Sequence, residues 1–278
     1  MKNILIPTDF SNNAYNALFH ATKLVEGKKC TFYLLNIYDE TTSILSMNAT
    51  KSLLQQLKDE SNEGLHNLVH RIQLDRKDAQ YNFETISKKG DLVEVITKTI
   101  QKKEIDLVVM GNNGCSEVKA IFLGSNVLKA IGHIQQCPIL TIPKEIDFKP
   151  PKEIAFVTDY RHSYDAGLLQ PLLFMAEQYR SKIYVMHINE EEVLDGVQEM
   201  NRSILLKYLS HFEYSLHWMP LFKSKATAIQ VFLDELGIDM LAMVNYDHSF
   251  LEKMTREPVI KRVAFDLDIP FLVIPYID

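Results

Sequence analysis

The chain repeats itself. Ile4-Leu-Ile-Pro-Thr-Asp9-Phe returns as Ile154-Ala-Phe-Val-Thr-Asp159-Tyr, 150 residues later. Phe32-Tyr-Leu-Leu-Asn-Ile37 returns as Ile183-Tyr-Val-Met-His-Ile188 at an offset of 151. Ile105–Met110 returns as Ile238–Met243 at 133, and Pro138–Pro143 as Pro270–Pro275 at 132. Apolar runs recurring in one order mean two copies of one fold, which suits a length of 278 residues. The offset falls once, by 17–18 residues, between the second and third strands. The second copy is therefore expected to have a shorter second helix, roughly Glu191 to His211. Lys149-Pro150-Pro151-Lys152 reads as the linker between domains 1–146 and 152–278.

Within the first copy, short apolar runs alternate with helical patterns. Strands are expected over 3–8, 31–38, 81–87, 105–110 and 138–142. Continuous apolar runs suit strands buried on both faces of a parallel sheet. Ser11 is a credible N-cap, Ala14 to Val25 follow at helical spacing, and Gly27 stops the helix. Further helices are expected over 49–74, 92–100 and 125–136. The fold class is α/β, with a parallel sheet and helices on both faces. In such sheets ligands bind beyond the carboxyl ends of the strands, where strand order reverses; Asp9, Ile37 and Gly111 lie at such ends.

Met110 to Asn126 carries the chemistry. Gly111 and Gly114 follow a strand, and Gly124-Ser125 opens a helix after nine intervening residues. Glycine lets a backbone approach an anion closely, and a helix N-terminus presents free N–H groups at the positive end of its dipole. Ser125 can cap that helix or donate to a phosphate oxygen. At an offset of 133 the second copy puts Val244 and Asp247 at the glycine positions, and Gly124-Ser125 falls on Arg256-Glu257 or Glu257-Pro258. It is not expected to bind a nucleotide in the same way.

Ile-Pro-Thr-Asp9-Phe-Ser, Met110-Gly111-x2-Gly114-x9-Gly124-Ser125 and Cys-Pro138-Ile-Leu-Thr-Ile-Pro143 together resemble the universal stress proteins, in a tandem arrangement. The glycine pattern is that of the ATP-binding branch. The resemblance implies two five-stranded Rossmann-like domains of adenine nucleotide alpha hydrolase type, forming a pseudo-dimer within the chain. It implies that Asp9 contacts the ribose, that Pro7, Ile37 and Met110 line the adenine pocket with Thr8 beside them, and that Gly111, Gly114, Gly124, Ser125 and Asn126 hold the phosphates. Mg²⁺ or Mn²⁺ would bridge phosphate oxygens, and whole chains would form homodimers. Two positions depart from the pattern: Cys115-Ser116-Glu117 follows the second glycine, where many relatives carry a basic residue, and Asn126 stands where small or hydroxyl residues are common.

Other features read as structural. His66, His70 and Glu63 suit a solvated helix face, since no third metal ligand is evident. Cys115 is a small loop filler or a redox-sensitive thiol. Asp159 is expected to bond loop amides, and Asn36 and His187 to be satisfied interior polar groups. Glu190, Glu191 and Glu192 suit a helix start. Phe212, Tyr214 and Trp218 suit a core or an interface. Cys30, Cys115 and Cys137 form neither a disulfide framework nor a metal pattern, which suggests a reducing cytoplasm. A net charge of −6 argues against a broad nucleic-acid surface, and no run of 18 apolar residues suggests a membrane span. The expectation is an adenine-nucleotide-binding stress-response or signalling protein, the nucleotide acting as a switch. A nucleotide-free scaffold is the alternative. No motif positions a general base or nucleophile, so at most slow hydrolysis, autophosphorylation on Ser125 or Ser116, or adenylate-forming chemistry is expected.

Overall fold

A computed structural model describes residues 1–38, 51–76, 81–112, 124–144, 146–189, 193–220, 225–246 and 267–276. For these residues the chain divides into two compact units, with the boundary between Ile146 and Asp147.

The first unit runs β1 (Asn3–Pro7), α1 (Asn12–Leu24), β2 (Thr31–Tyr38), α2 (Lys51–Asp75), β3 (Asn82–Lys89), α3 (Leu92–Lys103), β4 (Leu107–Gly111), α4 (Ser125–His133) and β5 (Ile139–Ile142). Its strand order is β3-β2-β1-β4-β5, and every pair is parallel. Apolar side chains on both faces bury β1, β4 and β5 under the helices. The polar run Asn-Phe-Glu-Thr-Ile-Ser-Lys-Lys keeps β3 at the sheet edge. Ser11 Oγ accepts from the Ala14 N–H and starts α1. The helix ends at Leu24, and Gly27 at φ 80° turns the chain back into β2.

The second unit runs β6 (Glu153–Val157), α5 (Ala166–Tyr179), β7 (Lys182–Asn189), α6 (Gly196–Leu209), β8 (Tyr214–Pro220), α7 (Lys225–Leu236), β9 (Met240–Asn245) and β10 (Phe271–Pro275). Its order is β8-β7-β6-β9-β10, again parallel. α6 has 14 residues against 25 in α2, as the falling offset requires. It starts at an Asp195–Gln198 capping box; Glu190 to Glu192 lie outside the described residues. Tyr214 and Trp218 stand exposed on the edge strand β8, so they are not core residues.

The repeated Ile-Asp dipeptide has the same job in both units. Asp106 Oδ2 accepts from the Lys2 and Asn3 N–H groups at 2.6 and 3.0 Å. Asp239 Oδ2 accepts from the Lys152 and Glu153 N–H groups at 2.9 and 3.0 Å. Each carboxylate ties the start of the first strand to the start of the fourth. Among the described residues no helix is long and apolar enough to cross a membrane.

Candidate functional site

Strand order in the first unit reverses between β1 and β4, whose registers pair Ile4 with Leu107 and Leu5 with Val108. The carboxyl ends of these strands therefore lie side by side. Pro7 and Met110 are buried there, and Ile37 is half-buried at the end of β2.

The turn after β1 is held from several sides. The Thr8 N–H donates to the Leu35 carbonyl at 2.8 Å, and the Thr8 carbonyl accepts from Asn36 Nδ2 at 2.8 Å. Thr8 Oγ1 accepts from the Phe10 N–H, and Asp9 Oδ1 from the Ser11 N–H, each at 3.0 Å. Thr8 is thus buried and its hydroxyl oxygen accepts within its own turn, whereas Asp9 is exposed at this end of the sheet. Phe10 takes the left-handed conformation at φ 63°.

Gly111 ends β4, and the Asn112 N–H extends the ladder to the Ile142 carbonyl at 2.8 Å. The Gly124 N–H donates to the Asn112 carbonyl at 2.5 Å. That bond brings the start of α4 to the end of β4. The N-cap of α4 is Gly124, which has no side chain to cap with, and Ser125 and Asn126 are exposed in the first turn. Ser125 is the first helical residue and does not cap the helix. The first helix bond runs from the Leu128 N–H to the Gly124 carbonyl, so the amides of Ser125, Asn126 and Val127 precede it. The structure brings Pro7, Asp9, Met110, Gly111, Gly124, Ser125 and Asn126 to one end of the sheet. Gly114, Cys115 and Ser116 lie outside the described residues.

Gly111 has a second, steric reason to be glycine. A Cβ there would lie 2.6 Å from Asn13 Nδ2 and 2.8 Å from the Asn13 carbonyl oxygen. The first turn of α1 occupies that space. The contact is invisible in sequence, because a glycine that admits a helix looks like one that admits a ligand.

The second unit repeats the turn with different chemistry beneath it. The Thr158 N–H donates to the Met186 carbonyl, and His187 Nδ1 is 3.1 Å from the Thr158 carbonyl. Thr158 Oγ1 accepts from the Tyr160 N–H, and Asp159 Oδ1 from the Arg161 N–H, each at 3.0 Å. Tyr160 repeats the left-handed backbone at φ 58°. Beyond the turn the units diverge. Val244 replaces Gly111, and α5 begins at Ala166, four residues after the counterpart of Asn12. Aromatic side chains fill the room: His162 stacks on Tyr246 with centroids 3.9 Å apart, Tyr246 meets Tyr276 at 5.0 Å, and Tyr160 stacks on His187 at 5.1 Å. Burial pushes the Tyr160 hydroxyl up to about 12 and raises those of Tyr164 and Tyr246 as well.

His66, His70 and Glu63 are exposed on α2. Among the described residues no three His, Cys, Asp or Glu side chains gather closely enough to hold a metal ion.

Comparison with known proteins gives one consistent family. Residues 1–143 match the sequence model of the universal stress protein family. The chain is 29% identical over 143 residues to universal stress protein MJ0577 of Methanocaldococcus jannaschii, spanning 46% of this chain and 88% of that one. Universal stress protein MJ0531 of the same organism is 27% identical over 145 residues, spanning 51% and 82%. The crystal structure of a universal stress protein from Archaeoglobus fulgidus DSM 4304 is similar with a TM-score of 0.70 over 98% of both chains. At 17% identity, that likeness speaks to the fold.

Proposed function

Since the chain belongs to the universal stress protein family, we propose that it is a tandem member, with domains 1–146 and 152–278, whose first unit alone binds an adenine nucleotide. The base lies against Pro7, Ile37 and Met110. The ribose hydroxyls donate to Asp9. The phosphates meet Gly111, Gly114, Gly124 and the first amides of α4 at Ser125 and Asn126. One observation carries this reading. The Gly124–Asn112 backbone bond delivers a helix N-terminus without a side-chain cap to the point where strand order reverses. That end of the helix favours an anion by its free N–H groups and by its dipole. Mg²⁺ or Mn²⁺ would enter with the phosphates, held chiefly by their oxygens.

The second unit serves as a structural and interaction partner. Val244 and the His162–Tyr246 stack stand where a ligand would need room. Nucleotide occupancy in the first unit then acts as a signal read by a protein partner, in the cytoplasm, during a stress response. Among the described residues none is placed as a general base, and slow hydrolysis at most belongs to this reading.

A second reading, a nucleotide-free scaffold, is favoured by one observation: Asn13 accounts for Gly111 without any ligand. Calorimetric titration with MgATP separates the two. The expected result is about one site per chain, lost in Gly114→Asp, which writes the second unit's residue into the first. No heat from protein shown by mass spectrometry to be nucleotide-free would favour the scaffold.

A further inference from the structure

In both units the second helix grips the turn after the first strand, and the two grips share no chemistry. In the second unit α6 uses hydrogen bonds. Gln198 Nε2 donates to the Asp159 carbonyl at 2.9 Å, and Asn201 Nδ2 donates to the Tyr160 carbonyl at 2.8 Å. Both side chains are buried. In the first unit α2 offers a notch. Gly64 sits mid-helix, and a Cβ there would lie 2.6–2.9 Å from three carbons of the Phe10 ring. A glycine inside a helix costs stability, and so does a left-handed backbone at a residue with a side chain. The first unit keeps both at a single contact.

That contact bounds the residue assigned to the ribose. On one side of Asp9, Thr8 is fixed by Leu35 and Asn36. On the other side, Phe10 is held among the described residues by its amide bond to Thr8 Oγ1 and by its ring against α2. Phe10 is 39% exposed, while its counterpart Tyr160 is 1% exposed. In the second unit α6 holds the turn by two buried hydrogen bonds; in the first unit α2 meets it, among the described residues, through the Phe10 ring.

We propose that Gly64 and Phe10 are positioning residues for the Asp9 carboxylate, so that α2 is part of the nucleotide site and changes its hold on the turn when the ribose is bound. This rests on the nucleotide-binding reading of the first unit. Asp9 accepts from a ribose hydroxyl only if its backbone is held at the angle that the left-handed Phe10 sets. The notch sets Phe10. A ligand that pulls on Asp9 therefore loads α2 directly, with no other element between them.

The test is a double-mutant cycle on the full chain with Gly64→Ala, Phe10→Gly and the pair. Alanine favours the helix, and Phe10→Gly keeps the left-handed backbone accessible, so both variants fold; far-UV circular dichroism checks this. Two quantities are read. The first needs no ligand: amide exchange at Phe10 and Ser11, whose N–H groups bond Thr8 and Asp9. Gly64→Ala is expected to speed both by about tenfold. The second is affinity for MgATP and for inorganic tripolyphosphate, which has no ribose. Gly64→Ala is expected to weaken MgATP by about tenfold and leave tripolyphosphate unchanged. The double variant is expected to be no worse than Phe10→Gly alone.

Wild-type exchange at both amides in Gly64→Ala would overturn the proposal, as would equal losses for the two ligands or additive single effects. If wild-type protein binds MgATP and Gly64→Ala binds it equally well, the positioning role fails and the nucleotide reading stands. If wild-type protein binds no MgATP, the nucleotide reading fails, and with it the role proposed for α2.

Discussion

Gly111→Val places the second unit's residue into the first and tests the steric account of that glycine. The new Cβ would lie 2.6 Å from Asn13 Nδ2, 2.8 Å from its Cγ and 2.8 Å from its carbonyl oxygen. Two of these atoms belong to a buried side chain that can move only at some cost. The third is backbone in the first turn of α1 and cannot. Overpacking of a tight contact costs about 1–3 kcal/mol, and a backbone clash belongs at the upper end of that range, so about 2–3 kcal/mol is expected. Amide exchange of the buried β1 and β4 segments should then accelerate roughly 30- to 140-fold, at 1.4 kcal/mol per decade. Adding Asn13→Ser, the second unit's residue at the equivalent position, removes the side-chain part of the clash and should recover about 1 kcal/mol. Full recovery is not expected, because the carbonyl contact remains. A Gly111→Val protein within about 0.5 kcal/mol of wild type would refute the reasoning and return the glycine wholly to the ligand.

Three further outcomes follow from other contacts. Asp239 is nearly buried, accepts from two backbone N–H groups and pairs with Lys149 at 2.5 Å, whereas Asp106 is exposed. Asp239→Ala should therefore cost about 2–3 kcal/mol and Asp106→Ala less, measured side by side by urea denaturation. Asn36→Ala removes the buried donor to the Thr8 carbonyl, and a loss of about 1–3 kcal/mol is expected in the same assay. Burial pushes the Cys137 thiol up to about 12. A raised folded value means that its contribution is complete below the unfolded value of about 8.5 and is lost as pH rises from there towards 12, at up to about 1.4 kcal/mol per pH unit. Cys137→Ala should accordingly show a shallower fall in stability between pH 9 and pH 10; identical slopes would contradict the burial account.

Most strands that the sequence reveals carry apolar side chains on both faces; the polar edge strand β3, expected over 81–87, is the exception. β1, β2, β4, β5 and their counterparts are continuous runs, and their ends were legible to within two residues. β8 was not among the expected strands: Tyr-Ser-Leu-His-Trp-Met-Pro is an edge strand with polar side chains, and its aromatic residues suggested a core or an interface. At the site, the placement of Asp9, Gly111 and Gly124 at one end of the sheet follows from element order alone. Three things did not follow. The role of Asn13 depends on where α1 begins relative to β4, and no local pattern encodes that. Gly64 gives no signal in the sequence of a long polar helix, and the path of Phe10 explains it. The Ser125 cap was misjudged by one position, because Gly and Ser are both good N-caps and only the backbone decides between them.

The late start of α5 bears on how the two halves came to differ. While the first turn of the helix after β1 stands against the end of β4, a side chain at the Gly111 position is resisted by a backbone carbonyl. The second half has both a valine at that position and a helix that begins about a turn later. Of the two differences, the valine is the one that carries a penalty when introduced alone. Starting from the first unit's arrangement, a later helix start alone leaves a space that a valine and the rings of His162 and Tyr246 can occupy, whereas a valine alone meets the carbonyl. A path back would have to run in reverse order: restoring the glycine alone would leave a hole instead of a cleft.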